Sequence, residues 1–262
     1  MRFHFDEPVV GYMTRDLEIA HADTPVEEIA RKMQARGISG LPILDSRGGL
    51  IGVVTRTDLI RLGLVQAGRR PSGQAMTLPQ LRARDAMTHD PAAITSAMSL
   101  RHAARIMVDN QIHRVFVNEG SKLAGVICAV DVTAAVRDAR IDAPVSSIMT
   151  APIVTVDIHA PISAAIDLLD RFHVTGLIVT DEEQPVGMFT QTDALASRDL
   201  PRTTPIENAY DAAVICLPAE MKLHRVAAQV ADLRVRRVVV CKAREPIGIV
   251  STTDFARVVA MS

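Results

Sequence analysis

GVVTRTD, from Gly52 to Asp58, is a glycine, an apolar pair, a hydroxyl and, three residues on, an aspartate. The pattern returns as GVICAVD (Gly125 to Asp131), GMFTQTD (Gly187 to Asp193) and GIVSTTD (Gly248 to Asp254). An apolar stripe with helical spacing precedes each copy. It reads Val26, Ile29, Ala30, Met33; then Leu100, Ala103, Ala104, Met107; then Ile162, Ala165, Ile166, Leu169; then Leu223, Val226, Ala227, Val230. Met-Thr opens three of the units, at Met13, Met87 and Met149, and Tyr210-Asp211 takes that place in the fourth. The chain is therefore a tandem array of units of about 60 residues.

Each unit reads as a short strand, the striped helix, a strand such as Leu41 to Leu44 or Val238 to Cys241, a polar turn, a second strand after the turn, and a final helix at the aspartate. That is β-α-β-β-α, an α/β (α+β) unit. A sheet of about three strands is too small to bury both faces alone, so neighbouring units should pack together. The predicted bounds are a tail 1–9, repeat one 10–64, repeat two 83–138, repeat three 145–200 and repeat four 206–261. Residues 65–82, rich in Gly, Pro, Ser and paired Arg, are expected to be a linker with a short helix at its end.

Composition narrows the function. The 262 residues carry 29 Lys+Arg against 30 Asp+Glu, are 48% hydrophobic and only 3% aromatic, and contain no Trp. The apolar fraction excludes a disordered chain, and the charge balance argues against a general binder of nucleic acid or anionic membrane. So few aromatic residues disfavour base stacking on single strands. No apolar run is long enough to span a bilayer, and MRFHFDEPVV lacks a signal core, so a cytoplasmic protein is expected. Cys128, Cys216 and Cys241 lack metal-ligand spacing and read as small buried hydrophobes. The histidines show no paired metal spacing, and no nucleophile elbow or P-loop is present, so no metal, no catalytic residue and no catalytic cofactor is assigned.

Thr-x-x-Asp before an apolar helix is a capping-box pattern. It covers Thr55 and Asp58, Thr190 and Asp193, and Ser251 and Asp254. The same carboxylate could instead accept hydrogen bonds from two ribose hydroxyls, and both roles can coexist. Repeat two has Cys128 before Asp131, and a thiol is a poor acceptor, so its site ranks last. Two positions before the central strand alternate with parity: Ser39-Gly40 and Thr175-Gly176 are small, whereas His113-Arg114 and Arg236-Arg237 are basic. Arginine suits phosphate oxygens, although most surface arginines are merely solvated.

The Met-Thr opening and the glycine-to-aspartate closing resemble the cystathionine-β-synthase (CBS) domain family over nearly the whole chain. The four copies resemble in architecture the regulatory γ subunit of AMP-activated protein kinase. The resemblance implies two pseudo-twofold (Bateman) modules with an adenosine nucleotide (AMP, ADP or ATP) in clefts between copies; some members take S-adenosylmethionine. It implies ribose and phosphate contacts at Thr55, Asp58, Asp131, Thr190, Asp193, Ser251 and Asp254, phosphate-facing basic groups at His113, Arg114, Arg236 and Arg237, and base contacts at Ile153 and Val214. Ser251, Asp254, Arg236 and Arg237 form the first-ranked set. The expected function is non-enzymatic: a stand-alone regulatory sensor that passes nucleotide occupancy to an unknown regulated partner. It is expected to bind neither nucleic acid nor membrane and to be a homodimer; the two modules could close into a disc within one chain or across a dimer, for which isologous pairing of the final helices is one arrangement. The alternatives are an interaction scaffold with vestigial clefts, or a sensor of another adenosyl ligand.

Overall fold

The computed structural model describes residues 5–67, 79–174, 176–197, 200–243 and 245–262. Repeat one runs β1 (Ala20–His21), α1 (Val26–Arg36), β2 (Gly40–Leu44), β3 (Leu50–Thr55) and α2 (Arg56–Ala67). Repeat two follows as α3 (Ala83–Ala86), β4 (Thr88–His89), β5 (Ala93–Thr95), α4 (Leu100–Asp109), β6 (Arg114–Glu119), β7 (Lys122–Cys128) and α5 (Ala129–Asp138). Repeat three is β8 (Thr155–Asp157), α6 (Ile162–Arg171), β9 (Gly176–Asp181), β10 (Gln184–Thr190) and α7 (Gln191–Ala196). Repeat four is β11 (Cys216–Pro218), α8 (Leu223–Asp232), β12 (Arg237–Lys242), β13 (Glu245–Ser251) and α9 (Thr252–Met261). Of the expected linker, residues 68–78 lie outside the described residues.

The stripes are buried as the spacing predicts. Val26, Ile29 and Met33 face one core, and Ile162, Ala165 and Leu169 another. In each repeat the first strand pairs parallel with the second across the helix, and the second pairs antiparallel with the third. One residue is bulged immediately before the signature glycine in repeats one, three and four: Ile51, Val186 and Ile247 have no cross-strand partner. Such a bulge sharpens the local twist.

The glycine and the Met-Thr opening turn out to be two halves of one contact. Thr14 bridges Val126, and Thr88 pairs with Val53, so repeats one and two exchange their openings. Thr150 bridges Ile249, and Asp211 bridges Met188, so repeats three and four do the same. The residue before each bridge lies on the partner's glycine. A Cβ on Gly52 would stand 2.4 Å from the Met87 sulfur, and one on Gly125 2.9 Å from that of Met13. On Gly248 it would stand 2.4 Å from the Met149 sulfur, and on Gly187 it would meet the Tyr210 ring and the Asp211 carbonyl oxygen at 2.4 Å.

A second exchange completes the helix starts. The first amides of a helix have no partner within it. Pro25, Pro161 and Lys222 precede α1, α6 and α8 and offer no side-chain cap. Instead Val26 N–H donates to Leu81 O, Ile162 N–H to Thr204 O, and Leu223 N–H to Ala143 O, each carbonyl belonging to the lead-in of the paired repeat.

The chain divides into two compact units, one built around residues 99–113 and 128–262, the other around 8–98 and 114–127. Repeat two is thus shared: its strands and α3 lie with repeat one, and α4 and α5 with repeats three and four. In the first of these units α9, which buries Phe255, Ala256 and Val259, packs on α4 and α5, and α8 packs on α5. The final helix therefore turns this apolar face to the rest of the chain. Among the described residues, no helix is long and apolar enough to cross a membrane.

The exchange contact predicts a ranking of glycine substitutions. Gly187→Ala drives a methyl group into backbone and should cost about 1–3 kcal/mol, as overpacking does. Gly11→Ala, with nothing within 4 Å of the new carbon, should be nearly neutral. Gly248→Ala should be rescued in part by Met149→Ala. Urea unfolding measures all of these, and equal losses for Gly187→Ala and Gly11→Ala would contradict the exchange.

Candidate functional site

Each closing motif forms its helix cap. Asp58 Oδ2 accepts from Thr55 N–H at 2.8 Å and from Thr55 Oγ1 at 2.6 Å. Asp193 Oδ2 accepts from Thr190 N–H at 2.8 Å and from Thr190 Oγ1 at 2.6 Å. Asp131 Oδ2 accepts from Cys128 N–H at 2.8 Å, with no hydroxyl to help. Asp254 Oδ2 accepts from Ser251 N–H at 2.8 Å and from Ser251 Oγ at 2.7 Å. The capping reading thus holds in all four repeats, and what distinguishes them is the second oxygen. In Asp254 it accepts from Arg257 at 2.7 Å, and the residue is only 6% exposed. Asp58 and Asp193 are half-buried, and their Oδ1 atoms take no hydrogen bond from the described residues.

The basic pairs split by position. The second member turns inward: Arg114 and Arg237 are half-buried, whereas His113 and Arg236 are exposed. Arg114 reaches repeat one. Its Nη2 donates to Ser39 Oγ at 3.0 Å, and a Cβ on Gly40 would stand 1.8 Å from its Nη1. Gly40 is the cross-strand partner of Thr55, so this guanidinium lies on the strand pair that ends in repeat one's cap. Arg237 reaches repeat three. Burial lowers its guanidinium below the ordinary arginine value, and the Asp193 carboxylate works in the opposite direction. In the first pair of repeats the alternation therefore has a steric cause, since Gly40 leaves room for Arg114; in the second pair a Cβ on Gly176 would meet Thr190 and Met188 rather than Arg237. Thr175 lies outside the described residues, and Gly176 pairs with Thr190 as Gly40 does with Thr55. His113 Nδ1 lies 3.4 Å from Thr253 Oγ1, and the Arg236 carbonyl accepts from Thr252 N–H.

Ile153 and Val214 stand just before the first strands of repeats three and four. Both pack on one apolar cluster of Ile178, Val239 and Cys241. The two residues expected to touch a base are thus brought to a single wall. Among the described residues no group of three or more side chains could hold a metal ion.

Two functional neighbours escaped the sequence reading. Arg257 closes Asp254, and its i+3 spacing on a helix was a visible signal. Arg234, in the left-handed region at φ 52°, takes the place of Gly37 in repeat one and acts on Asp131. Burial raises the Asp131 carboxyl above 3.8, against the bond from Cys128 N–H and the charge of Arg234. Below 3.8 both the folded and unfolded states hold this proton. As pH rises from there through the raised value, the folded state loses stability relative to Asp131→Asn, and the difference then levels off. Urea midpoints of both proteins across that range test this; a difference independent of pH would contradict it.

Comparison with known proteins bears on the family and the fold. The CBS domain family model matches residues 9–64, 83–138, 145–199 and 200–261. An uncharacterized 33.4 kDa protein of a Thermofilum pendens ribosomal RNA operon is 24% identical over 78% of this chain and 68% of its own. The fold is similar to that of protein MJ1225 from Methanocaldococcus jannaschii, put forward as an archaeal homologue of γ-AMPK, with a TM-score of 0.76 at 15% identity over 96% of this chain and 99% of that one. A conserved protein from Pyrococcus horikoshii superposes with a TM-score of 0.66 at 18% identity over 97% of this chain and 100% of its own.

Proposed function

Because the chain belongs to the CBS-domain family, with four copies in tandem, we propose that it is a regulatory protein that binds AMP, or another adenosine nucleotide, at its odd repeats. The observation that carries this reading is the crossing arginine. Arg237 is set against Asp193, and Arg114 reaches Ser39 beside the Thr55–Asp58 cap. Each odd repeat thereby combines a carboxylate oxygen open to ribose hydroxyls with a guanidinium suited to phosphate oxygens. In the second pair of repeats, the aliphatic wall around Ile153 and Val214 would hold the purine without aromatic stacking.

The even repeats are poorer sites. Asp254 is buried and closed by Arg257, and Asp131 is backed by a thiol in place of a hydroxyl. This reverses the order expected from sequence, in which Ser251 and Asp254 came first. It also gives the scaffold reading a specific foothold, since those two sites have the character of vestigial clefts. Ligand binding acts by favouring one arrangement of the repeats, which a regulated protein reads. The reading is binding without turnover, in a cytoplasmic protein that pairs as a homodimer.

Isothermal titration with AMP, adenosine and S-adenosylmethionine tests it. AMP should bind at least about tenfold tighter than adenosine, the worth of a charge-assisted hydrogen bond. Arg237→Ala should remove that preference at the site in the second pair of repeats, Asp193→Ala should weaken both ligands there, and Asp254→Ala should leave the odd sites unchanged. Equal affinity for AMP and adenosine would sink the phosphate role. Preference for S-adenosylmethionine would reassign the ligand, and no binding of any adenosyl compound would leave the scaffold reading. Native mass spectrometry of the same samples gives the stoichiometry and the number of subunits.

A further inference from the structure

Cys216 and Cys241 occupy neighbouring parallel strands, β11 and β12. Cys216 is in register with Val239, and Cys241 with Pro218, so the two cysteines are diagonal neighbours. Val239 and Cys241, two apart on one strand, share a face, and Cys216 joins it. The Cys216 sulfur lies close enough to act on the Cys241 thiol. Cys216 is exposed, whereas Cys241 is 8% exposed in the apolar cluster that also holds Ile153 and Val214. Diagonal neighbours have Cα atoms about 7–8 Å apart. A disulfide needs about 4.4–6.8 Å, so bridging requires the strands to shift. β11 is the element able to do so, being three residues long and at the edge of its sheet.

We propose that Cys216 and Cys241 form a modification site for low-molecular-weight disulfides, closing to an intrachain disulfide that draws β11 along β12 and displaces Val214. The Cys216 thiolate attacks one sulfur of the oxidant RSSR. The S–S bond breaks, and RS⁻ leaves and takes up the proton that Cys216 gave to solvent. The Cys241 sulfur then attacks Cys216 in the mixed disulfide, and the second RSH departs with the Cys241 proton. The oxidant's disulfide gains the two electrons and two protons that the two thiols lose. Burial, reinforced by the adjacent Cys216 sulfur, pushes the Cys241 thiol up to about 12. Cys241 therefore stays protonated at neutral pH, which leaves the exposed sulfur as the point of entry. Once Cys216 is in the mixed disulfide, its share of that rise disappears and Cys241 ionises more readily.

The test uses the full chain, reduced and then exposed to excess oxidised glutathione, with peptide mass spectrometry and hydrogen exchange. The expected product is a Cys216–Cys241 cross-link with Cys128 still free, reversed by dithiothreitol, and altered exchange over residues 212–218. Cys241→Ser should stop at glutathione on Cys216, and Cys216→Ser should give neither product. Glutathione persisting on Cys216 in the wild type, a cross-link through Cys128, or a cross-link that leaves exchange unaltered would each overturn the proposal. One consequence rests on the nucleotide reading above: AMP affinity should fall severalfold in the oxidised protein. Unchanged affinity would remove the link to the cleft, whereas failure to bind AMP in either state would count against the nucleotide reading alone and leave the cross-link result standing.

Discussion

The rest of this structure depends on a side chain of one repeat lying on a glycine of another. Met13 on Gly125 answers Met87 on Gly52, and Met149 on Gly248 answers Tyr210 on Gly187. The glycine has no Cβ, so the neighbouring backbone can approach closely enough to pair. Because the exchange is reciprocal, neither repeat is complete alone. The borrowed carbonyls at the starts of α1, α6 and α8 make the same point in hydrogen bonds. A pseudo-twofold arrangement follows without any further device.

The same dependence builds the candidate sites. A cap formed by Thr55 and Asp58, or by Thr190 and Asp193, is local and would stabilise any helix. It gains a second chemical feature only because the paired repeat delivers an arginine beside it. Arg114 passes over Gly40, and the Asp193 carboxylate acts on the half-buried Arg237. The odd repeats leave a carboxylate oxygen uncovered, and the even repeats supply the arginine.

How much of this was legible in the sequence depended on range. The four-fold period, the buried stripes and the caps were readable, because each is set by residues a few positions apart. Ile153 and Val214 came from family resemblance, and they do converge on one wall. The partners of longer reach were not readable. Parity marked Arg114 and Arg237 as different from their counterparts but could not say which repeat they serve. The local pattern at Ser251 and Asp254 looked the strongest, yet Arg257 one turn on and the burial of the aspartate close it. Met-Thr and glycine were each visible as motifs, and only tertiary structure shows that they touch.

The division of repeat two between two units bears on the order in which the chain can finish folding. Its helices α4 and α5 leave the ribosome long before α8 and α9, on which they pack. Until repeat four has been made, the faces of α4 and α5 that pack on α8 and α9 lack that cover. Repeat two is therefore synthesised second but completed last, and the nascent chain carries an apolar surface that a late stall in translation would leave bare.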